Sequence, residues 1–138
     1  MTSERTCPFC HPVPSEIAAG NELCLFLQSP THILPGSGII IPRAHRETVF
    51  DLSREEWEAT QRLLAEVKAL LDACHAPQGY NVGWNVGSVG GQEIFHAHLH
   101  VIPRFADEPL AGKGIRYWLK QPNNRRPGAH GRDEHLGL

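Results

Sequence analysis

The sequence lacks the features of several common protein classes. It has no apolar run of transmembrane length, and its polar start, MTSERTCPFC, has no apolar segment typical of a secretory leader. Its formal net charge of -2 does not fit a chain built to bind nucleic acid. We therefore expect a protein that acts in the cytoplasm, with neither a membrane nor a nucleic-acid partner.

Cysteine is also scarce, with four in 138 residues. Because thiols stay reduced in the cytoplasm, we interpret these residues as metal ligands or core residues before disulfides. Cys24 and Cys74 fall on predicted apolar faces and are expected in the core. A second CxxC motif is missing, which argues against a zinc-ribbon nucleic-acid binder.

The length of the chain predicts one domain, which we place at residues 1–110. Residues 111–138 are interpreted as a basic, partly ordered C-terminal arm. Seven basic and two acidic residues lie between Arg104 and Arg132. This end of the chain either meets anionic groups or is simply solvated. After Gln121, the prolines and polar residues favour disorder.

The clearest predicted element is a helix over about residues 54–75. Ser53 and Glu56 have the spacing of a capping box, and Pro77 and Gly79 follow the last turn. Seven residues recur at helical spacing and predict an amphipathic helix laid over a sheet: Trp57, Leu63, Leu64, Val67, Leu70, Leu71 and Cys74.

Four segments read as strands: NELCLFLQ (21–28), GIIIP (38–42), YNVGWNVG (80–87) and FHAHLHVIP (95–103). A loop rich in proline and glycine separates the first two, and the turn SVGGQE separates the last two. Strands joined by short turns, with one long helix between them, predict an α+β fold with an antiparallel sheet.

Three histidines occupy alternate positions in the last predicted strand. Side chains two residues apart on a strand share one face at a separation of about 6.6–7 Å, so His96, His98, His100 and Ile102 are expected on the same face. A surface strand that uses histidine by chance is a poor explanation for three in a row. The outer pair would lie about 13 Å apart, too far for all three to bind one zinc ion comfortably.

The motif CPFC places Cys7 and Cys10 at a spacing that suits two thiolates on one zinc ion. A redox pair or two buried cysteines are the alternatives. With His45 and His96 the set becomes two cysteines and two histidines, a closed tetrahedral site that is structural. A metallohydrolase with catalytic zinc is disfavoured because such a site has no open position.

The glycine-rich turn before the histidines suggests an anion site. Its backbone N–H groups from Gly87 to Gln92 could form a nest, that is, a concave set of N–H groups that binds an anion, most often phosphate. The turn alone is weak evidence, but it lies next to His98, and neutral imidazole is a good nucleophile near pH 7. The combination points to phosphoryl or nucleotidyl transfer through a covalent histidine.

The segment HAHLHVI resembles the signature of the histidine triad (HIT) family of nucleotide hydrolases and transferases. The likeness extends to GGQ, Asn85, IPRAH, the helix and CPFC, and covers about residues 7–105. The CxxC motif marks the zinc-containing branch of the family. The resemblance implies a five-stranded antiparallel sheet with one long helix, a homodimer, and a purine nucleotide as substrate.

The resemblance also implies roles for single residues. His98 matches the nucleophile that attacks the α-phosphate, and His100 matches the histidine that hydrogen-bonds the phosphate or leaving-group oxygen. The matching zinc ligands are Cys7, Cys10, His45 and His96, and the matching phosphate contacts are Asn85 and the backbone of Gly91 and Gln92.

The chain departs from the family pattern at three positions. Glu93 stands where the family usually has Ser or Thr; its carboxylate either turns to solvent, meets a cationic leaving group, or acts while protonated. The usual acidic ribose contact is missing, and Gln28 is the nearest candidate for that role. Ser37 replaces a histidine often found there.

We therefore expect a hydrolase that splits AMP from a phosphoramidate or a dinucleoside polyphosphate through a nucleotidyl-histidine. No catalytic metal is required. The alternatives are a nucleotidyl transferase or phosphorylase that uses a second phosphate acceptor, and a nucleotide-binding module without turnover.

Overall fold

The computed structural model describes residues 3–28 and 33–128. They fall into two compact units that divide after Ala106, each described here by itself. The domain boundary after residue 110 stays a prediction. The tail beyond residue 128 and part of the loop before the second predicted strand lie outside the described residues.

The first unit is built on one five-stranded antiparallel sheet, as predicted. Its strands are β1 Ile17–Gly20, β2 Cys24–Leu27, β3 Gly38–Pro42, β4 Gly79–Trp84 and β5 Leu99–Arg104. They follow the spatial order β1-β2-β3-β5-β4, and all neighbours pair antiparallel. With the helix α1, Arg54–His75, this confirms the α+β architecture.

The helix α1 has the bounds that its local signals predict. The Ser53 hydroxyl accepts from the Glu56 N–H, and the Glu56 carboxylate accepts from the Ser53 N–H, so the capping box is formed. The face of α1 that is buried is rotated about the helix axis by part of a turn relative to the predicted face. Trp57, Leu70 and Cys74 are exposed, which corrects the expectation that Cys74 lies in the core. The face that packs is Glu56, Ala59, Thr60, Leu63, Val67 and Leu71.

The sheet has two apolar faces, and a different part of the chain packs against each. Alternate residues pack against α1, and the buried ones are Cys24, Phe26, Ile40, Leu99 and Val101. Cys24 is therefore a core residue, as predicted. The opposite face carries Leu25, Leu27 and Ile41, against which Phe9 of the N-terminal segment packs. Because side chains alternate along a strand, His100 and Ile102 belong to this second face.

The strand β5 begins at Leu99, so the prediction that it starts at residue 95 is wrong. The pairing of β3 with β5 ends where Ile40 meets Leu99. Two positions further, Pro42 has no N–H to donate to a ladder. The Ala97 N–H instead donates to the Arg46 carbonyl at 2.6 Å. His96, which lies in a bend, and His98 therefore belong to the irregular segment that precedes the strand.

Two more strand predictions need correction. The strand β1 was not predicted, because IAAG has little β propensity and forms only by pairing with β2. The strand β2 is shorter than NELCLFLQ, because the Asn21 side chain accepts hydrogen bonds from the N–H groups of Leu23 and Cys24 and closes a turn.

The second unit contains a short helix α2, Ile115–Leu119, and a 3-10 turn at Pro122–Asn124. The turn lies within the segment for which the sequence favoured disorder after Gln121. Among the described residues, no helix is both long and apolar enough to span a membrane.

An ion pair between the buried Glu56 and the partly exposed Arg46 joins α1 to the segment that follows β3. The Arg46 Nε donates to both oxygens of Glu56, at 3.0 and 3.2 Å. Burial acts to raise the pKa of Glu56, but the hydrogen bond from Ser53 and the Arg46 charge together hold that pKa below its usual value. The pair fixes the chain next to His45.

Replacing this carboxylate should reduce stability in a pH-dependent way. We expect Glu56→Gln to lower the free energy of unfolding by about 2 kcal/mol at pH 7, because charged hydrogen bonds are lost. Because the pKa of Glu56 is lower in the folded state than its ordinary value of 4.5, the ionised carboxylate stabilises the folded state at pH values above 4.5. This contribution disappears as the pH falls below that value. Urea unfolding at pH 7 and pH 3 measures both effects, with Glu55→Gln, an exposed change on the same turn, as control. An equal loss at both pH values would contradict the assignment.

Candidate active site and metal cluster

Two cysteines and two histidines converge beside the second face of the sheet. The ligand atoms of Cys7, Cys10, His45 and His96 all lie within 4.8 Å of one another. The Cys7 Sγ is 3.4 Å from the His96 Nδ1, and the Cys10 Sγ is 3.2 Å from the His45 Nδ1. The predicted set is thus brought together in full, from segments far apart in the sequence.

The geometry of this Cys2His2 cluster fits a metal ion. Bonds of about 2.0–2.3 Å to the ion would separate the ligand atoms of a tetrahedral site by roughly 3.5 Å, close to the distances found. Cys7 and His96 are fully buried, with exposed fractions of 1% and 0%. The buried site has the donor chemistry of a structural metal centre.

The orientation of His96 favours ligation through its Nδ1. Its Nε2 lies 2.8 Å from the Pro42 carbonyl oxygen, which can only accept, so the proton resides on Nε2. This leaves the Nδ1 lone pair facing the thiols. Burial, followed by the charges of His45 and His98, lowers the pKa of His96 and favours the neutral form that binds metals.

The thiol chemistry disfavours a redox role for the CxxC motif. Both cysteines are free, and burial together with the neighbouring Cys7 raises the pKa of Cys10 to about 11. Redox-active cysteines have a lowered pKa, because the thiolate is the reactive form. A cation bound by the cluster would reverse this unfavourable environment and hold both thiolates.

His98 is oriented by its own chain. Its Nδ1 lies 2.8 Å from the carbonyl oxygen of His96 and donates to it when the ring is neutral. The Nε2 then carries the lone pair, which is the state that a nucleophile requires. Phe9 packs edge-on against the ring, with 5.2 Å between centroids. The imidazole is therefore held in one tautomer and one direction.

His100 lies beside His98, with 5.0 Å between the ring centroids. Burial, and then the nearby His98, lowers its pKa. Its Nε2 is buried and has no hydrogen-bond partner among the described residues. Because an unpaired buried nitrogen costs free energy, a ligand group at this position would be stabilised. The triad thus divides as expected: His96 joins the cluster, and His98 and His100 remain available.

The glycine-rich turn satisfies most of its own hydrogen bonds. The N–H groups of Gly90 and Gln92 donate to the Gly87 carbonyl, and the Gly91 N–H donates to the Ser88 carbonyl. The buried Gln92 side chain accepts from the Gly87 N–H and donates to the Glu47 carbonyl at 2.6 Å. Four of the six amides of the turn thus have acceptors within the turn, the Gln92 side chain braces it, and the anion nest stays a prediction.

The remaining predicted site residues occupy different environments. Gly91 has a φ of +96°, and a Cβ there would lie 3.5 Å from the Asn85 amide nitrogen, so the two residues adjoin. Glu93 is exposed. Gln28 is half-buried, and its amide donates to the Gly36 carbonyl at 3.0 Å.

A cleft of about 530 Å³ opens beside His100 on the face opposite α1. Its walls are mainly apolar, and His100, Ser37 and Glu16 are its polar lining residues. Sequence reasoning missed Glu16, because nothing in the pattern separates it from the other acidic residues of the chain. Its position follows from the pairing of β1 with β2, which the sequence did not indicate.

Comparison with known proteins identifies a family with which this chain shares its sequence. A family profile described as the HIT domain matches residues 12–107. Purine nucleoside phosphoramidase of Escherichia coli K12 is 33% identical over 110 residues, which is 75% of this chain and 88% of that protein. An uncharacterised HIT-like protein of Mycoplasma genitalium is 27% identical over 124 residues, covering 87% and 85% of the two chains.

A solved structure agrees with the fold. A member of the HIT family from Bacillus subtilis superposes with a TM-score of 0.70 at 25% identity. The match covers 88% of this chain and 86% of that one.

Proposed function

Because this chain belongs to the HIT family, we propose that it is a hydrolase that releases a purine nucleoside monophosphate from a phosphoramidate or a dinucleoside polyphosphate. The family includes nucleotide hydrolases, one of which is the purine nucleoside phosphoramidase described above. The single observation that carries the proposal is the pairing of His98 with His100, which lines the cleft.

The proposed reaction has two displacement steps. In the first, the lone pair of the His98 Nε2 attacks the α-phosphorus, a P–N bond forms, and the bond from phosphorus to the leaving group breaks. The leaving group departs with the electron pair and, if it is an amine, takes up a proton. In the second step water attacks the same phosphorus, a P–O bond forms and the P–N bond breaks. The attacking water loses a proton to solvent, and free His98 is restored with the nucleoside monophosphate.

His100 would stabilise the charge that develops in both steps. Its unpartnered Nε2 can donate to a phosphate or leaving-group oxygen when that nitrogen carries the proton. We further propose that Asn85, Gly91, Gln92 and Glu93 border the phosphate and that Gln28 borders the ribose. Since Gln28 and the turn amides already have partners, their contribution would be to shape the site.

We propose zinc as the ion of the cluster, in a structural role. Two thiolates and two imidazoles are a preferred zinc ligand set, and four protein ligands leave no open position for a substrate. The ion would fix the N-terminal segment, including Phe9, against the sheet. No step of the proposed reaction passes through the metal.

A homodimer is part of the proposal. Within the described residues, β4 pairs only with β5 and lies at an edge of the sheet. Val82 on this strand and Trp57 on α1 are large exposed apolar side chains, with exposed fractions of 44% and 49%. Such an edge is suited to continuing the sheet into a second copy. Light scattering coupled to size-exclusion chromatography measures the mass.

We also propose the cytoplasm as location, since the ligand thiols must stay reduced.

A substrate panel tests the activity. Adenosine and guanosine 5′-phosphoramidates and the matching dinucleoside polyphosphates are incubated with purified protein, with and without inorganic phosphate as a second acceptor. We expect release of nucleoside monophosphate without the acceptor. Products that appear only with phosphate would indicate a phosphorylase. Nucleotide binding with no turnover of any substrate would overturn the proposal in favour of a binding module.

A further inference from the structure

The cleft beside His100 contains one carboxylate in mainly apolar surroundings. Of the described residues that line it, Glu16 alone carries a formal charge. Its side chain is half-buried, while its backbone carbonyl accepts from the Gln28 N–H at 2.8 Å and is thereby fixed to β2. A carboxylate in an apolar slot is unfavourable unless a ligand supplies hydrogen-bond donors.

The strand register fixes how far this carboxylate lies from the phosphate end. Ile17 pairs with Leu27, Leu27 with Ile39, and Ile39 with His100, so these four residues form one row across the sheet. Three strand spacings separate the ends of the row by about 14 Å between Cα atoms. Glu16 directly precedes Ile17, so it lies at the opposite end of the cleft from His100.

The length of the row decides which part of a nucleotide reaches Glu16. With the phosphate at His98 and His100, the ribose hydroxyls lie near the phosphate, over the middle of the row. The hydrogen-bonding edge of the base is the most distant polar part of the molecule. Leu27 and Ile39 lie between the two ends and offer an apolar surface to the flat face of a purine.

We propose that Glu16 is a specificity-determining residue that selects guanine as the base of the substrate. The inference rests on the proposed function and extends it to the choice of nucleobase. Guanine presents two adjacent N–H donors, from its ring nitrogen and its amino group, and these match the two oxygens of one carboxylate. Adenine presents an amino donor beside a ring nitrogen that only accepts, and this lone pair would face the carboxylate.

The experiment compares guanosine and adenosine 5′-phosphoramidates in wild type, Glu16→Gln and Glu16→Ala. We expect wild type to favour guanosine by about tenfold or more in kcat/KM, since a site that presents a fixed hydrogen-bonding group rejects an analogue with mismatched groups. Glu16→Ala should bring the ratio near one. Glu16→Gln should also lose most of the preference for guanosine, because an amide has only one acceptor for the two adjacent guanine donors, and its donor and acceptor also match adenine. The matched control is Glu58→Gln, an exposed change on the helix side of the sheet.

Matched 2′-deoxy substrates separate the base from the sugar. If the Glu16 variants change the preference for ribose over deoxyribose and leave the base preference unchanged, the carboxylate contacts the sugar and the guanine assignment is overturned. A wild type that hydrolyses both purine substrates equally, with unchanged Glu16 variants, also overturns it while the proposed function stands. Absence of turnover with any substrate would instead refute the proposed function.

Discussion

His98→Ala should reduce kcat/KM for a nucleoside phosphoramidate by at least about a thousandfold, because the variant has no nitrogen to displace the leaving group. Nucleotide binding should persist, since the apolar walls of the cleft and His100 are unchanged. Initial rates and calorimetric titration with GMP and AMP measure the two properties. His75→Ala, which removes an exposed histidine at the end of α1, is the control.

A second variant separates chemistry from a folding defect. His98→Gly leaves a space in which free imidazole can act as the nucleophile, so added imidazole should restore part of the lost rate. In wild type, rapid quenching followed by mass spectrometry should detect protein that carries one nucleotidyl group. A His98→Ala enzyme with near-normal rates would show that the covalent mechanism is wrong.

The double change Cys7→Ser with Cys10→Ser should remove the metal and destabilise the fold. We expect elemental analysis to find about one zinc per wild-type chain and almost none in the variant. Loss of a structural metal site should cost several kcal/mol, which for a chain of this size corresponds to a fall in Tm of about 10 °C or more. Activity at low temperature should fall much less than stability.

The matched control is Cys74→Ser, which changes an exposed cysteine outside the cluster. It should keep the metal and the Tm of wild type. A chelator should reproduce the effect of the double variant on the wild-type protein. Purified protein that is stable without metal, with an unchanged Tm in the double variant, would contradict the structural role.

Local signals explain which parts of the fold could be predicted. The capping box of Ser53 and Glu56 and the residues around Pro77 determine α1 within a few neighbouring positions, so both ends were predicted. GIIIP was predicted for the same reason, because proline ends the strand. The exposure of Cys74 was missed, since apolar spacing alone places the buried face only to within part of a turn.

The errors lie where distant segments determine the local structure. The start of β5 depends on Pro42 in another strand and on the Arg46 carbonyl, which accepts from Ala97. The sequence also did not indicate that four amides of the turn before the triad are bonded within the turn. Glu16 reaches the cleft only because β1 pairs with β2, and IAAG gives no sign of that pairing.

The four residues of the Cys2His2 cluster were predicted to lie together because the chemistry of metal ligands is restrictive. Few residue types bind zinc, and a CxxC motif needs two further ligands, for which the histidines of IPRAH and HAHLH were the candidates. The expectation that the three histidines have different roles follows from the distance between them, which is too large for all three to bind one ion. His96 turns to the cluster, while His98 and His100 remain beside the cleft.

His96 connects the Cys2His2 cluster to His98, the proposed nucleophile, through two different parts of the same residue. Its ring faces the thiols, whereas its main-chain oxygen receives the proton-bearing nitrogen of His98. Every amino acid has that main-chain oxygen. The hydrogen bond that orients His98 therefore depends on the backbone at position 96 and not on the thiols or the imidazole ring, provided that packing holds that backbone in place. A loss of metal from the cluster would reach His98 only through a movement of this backbone.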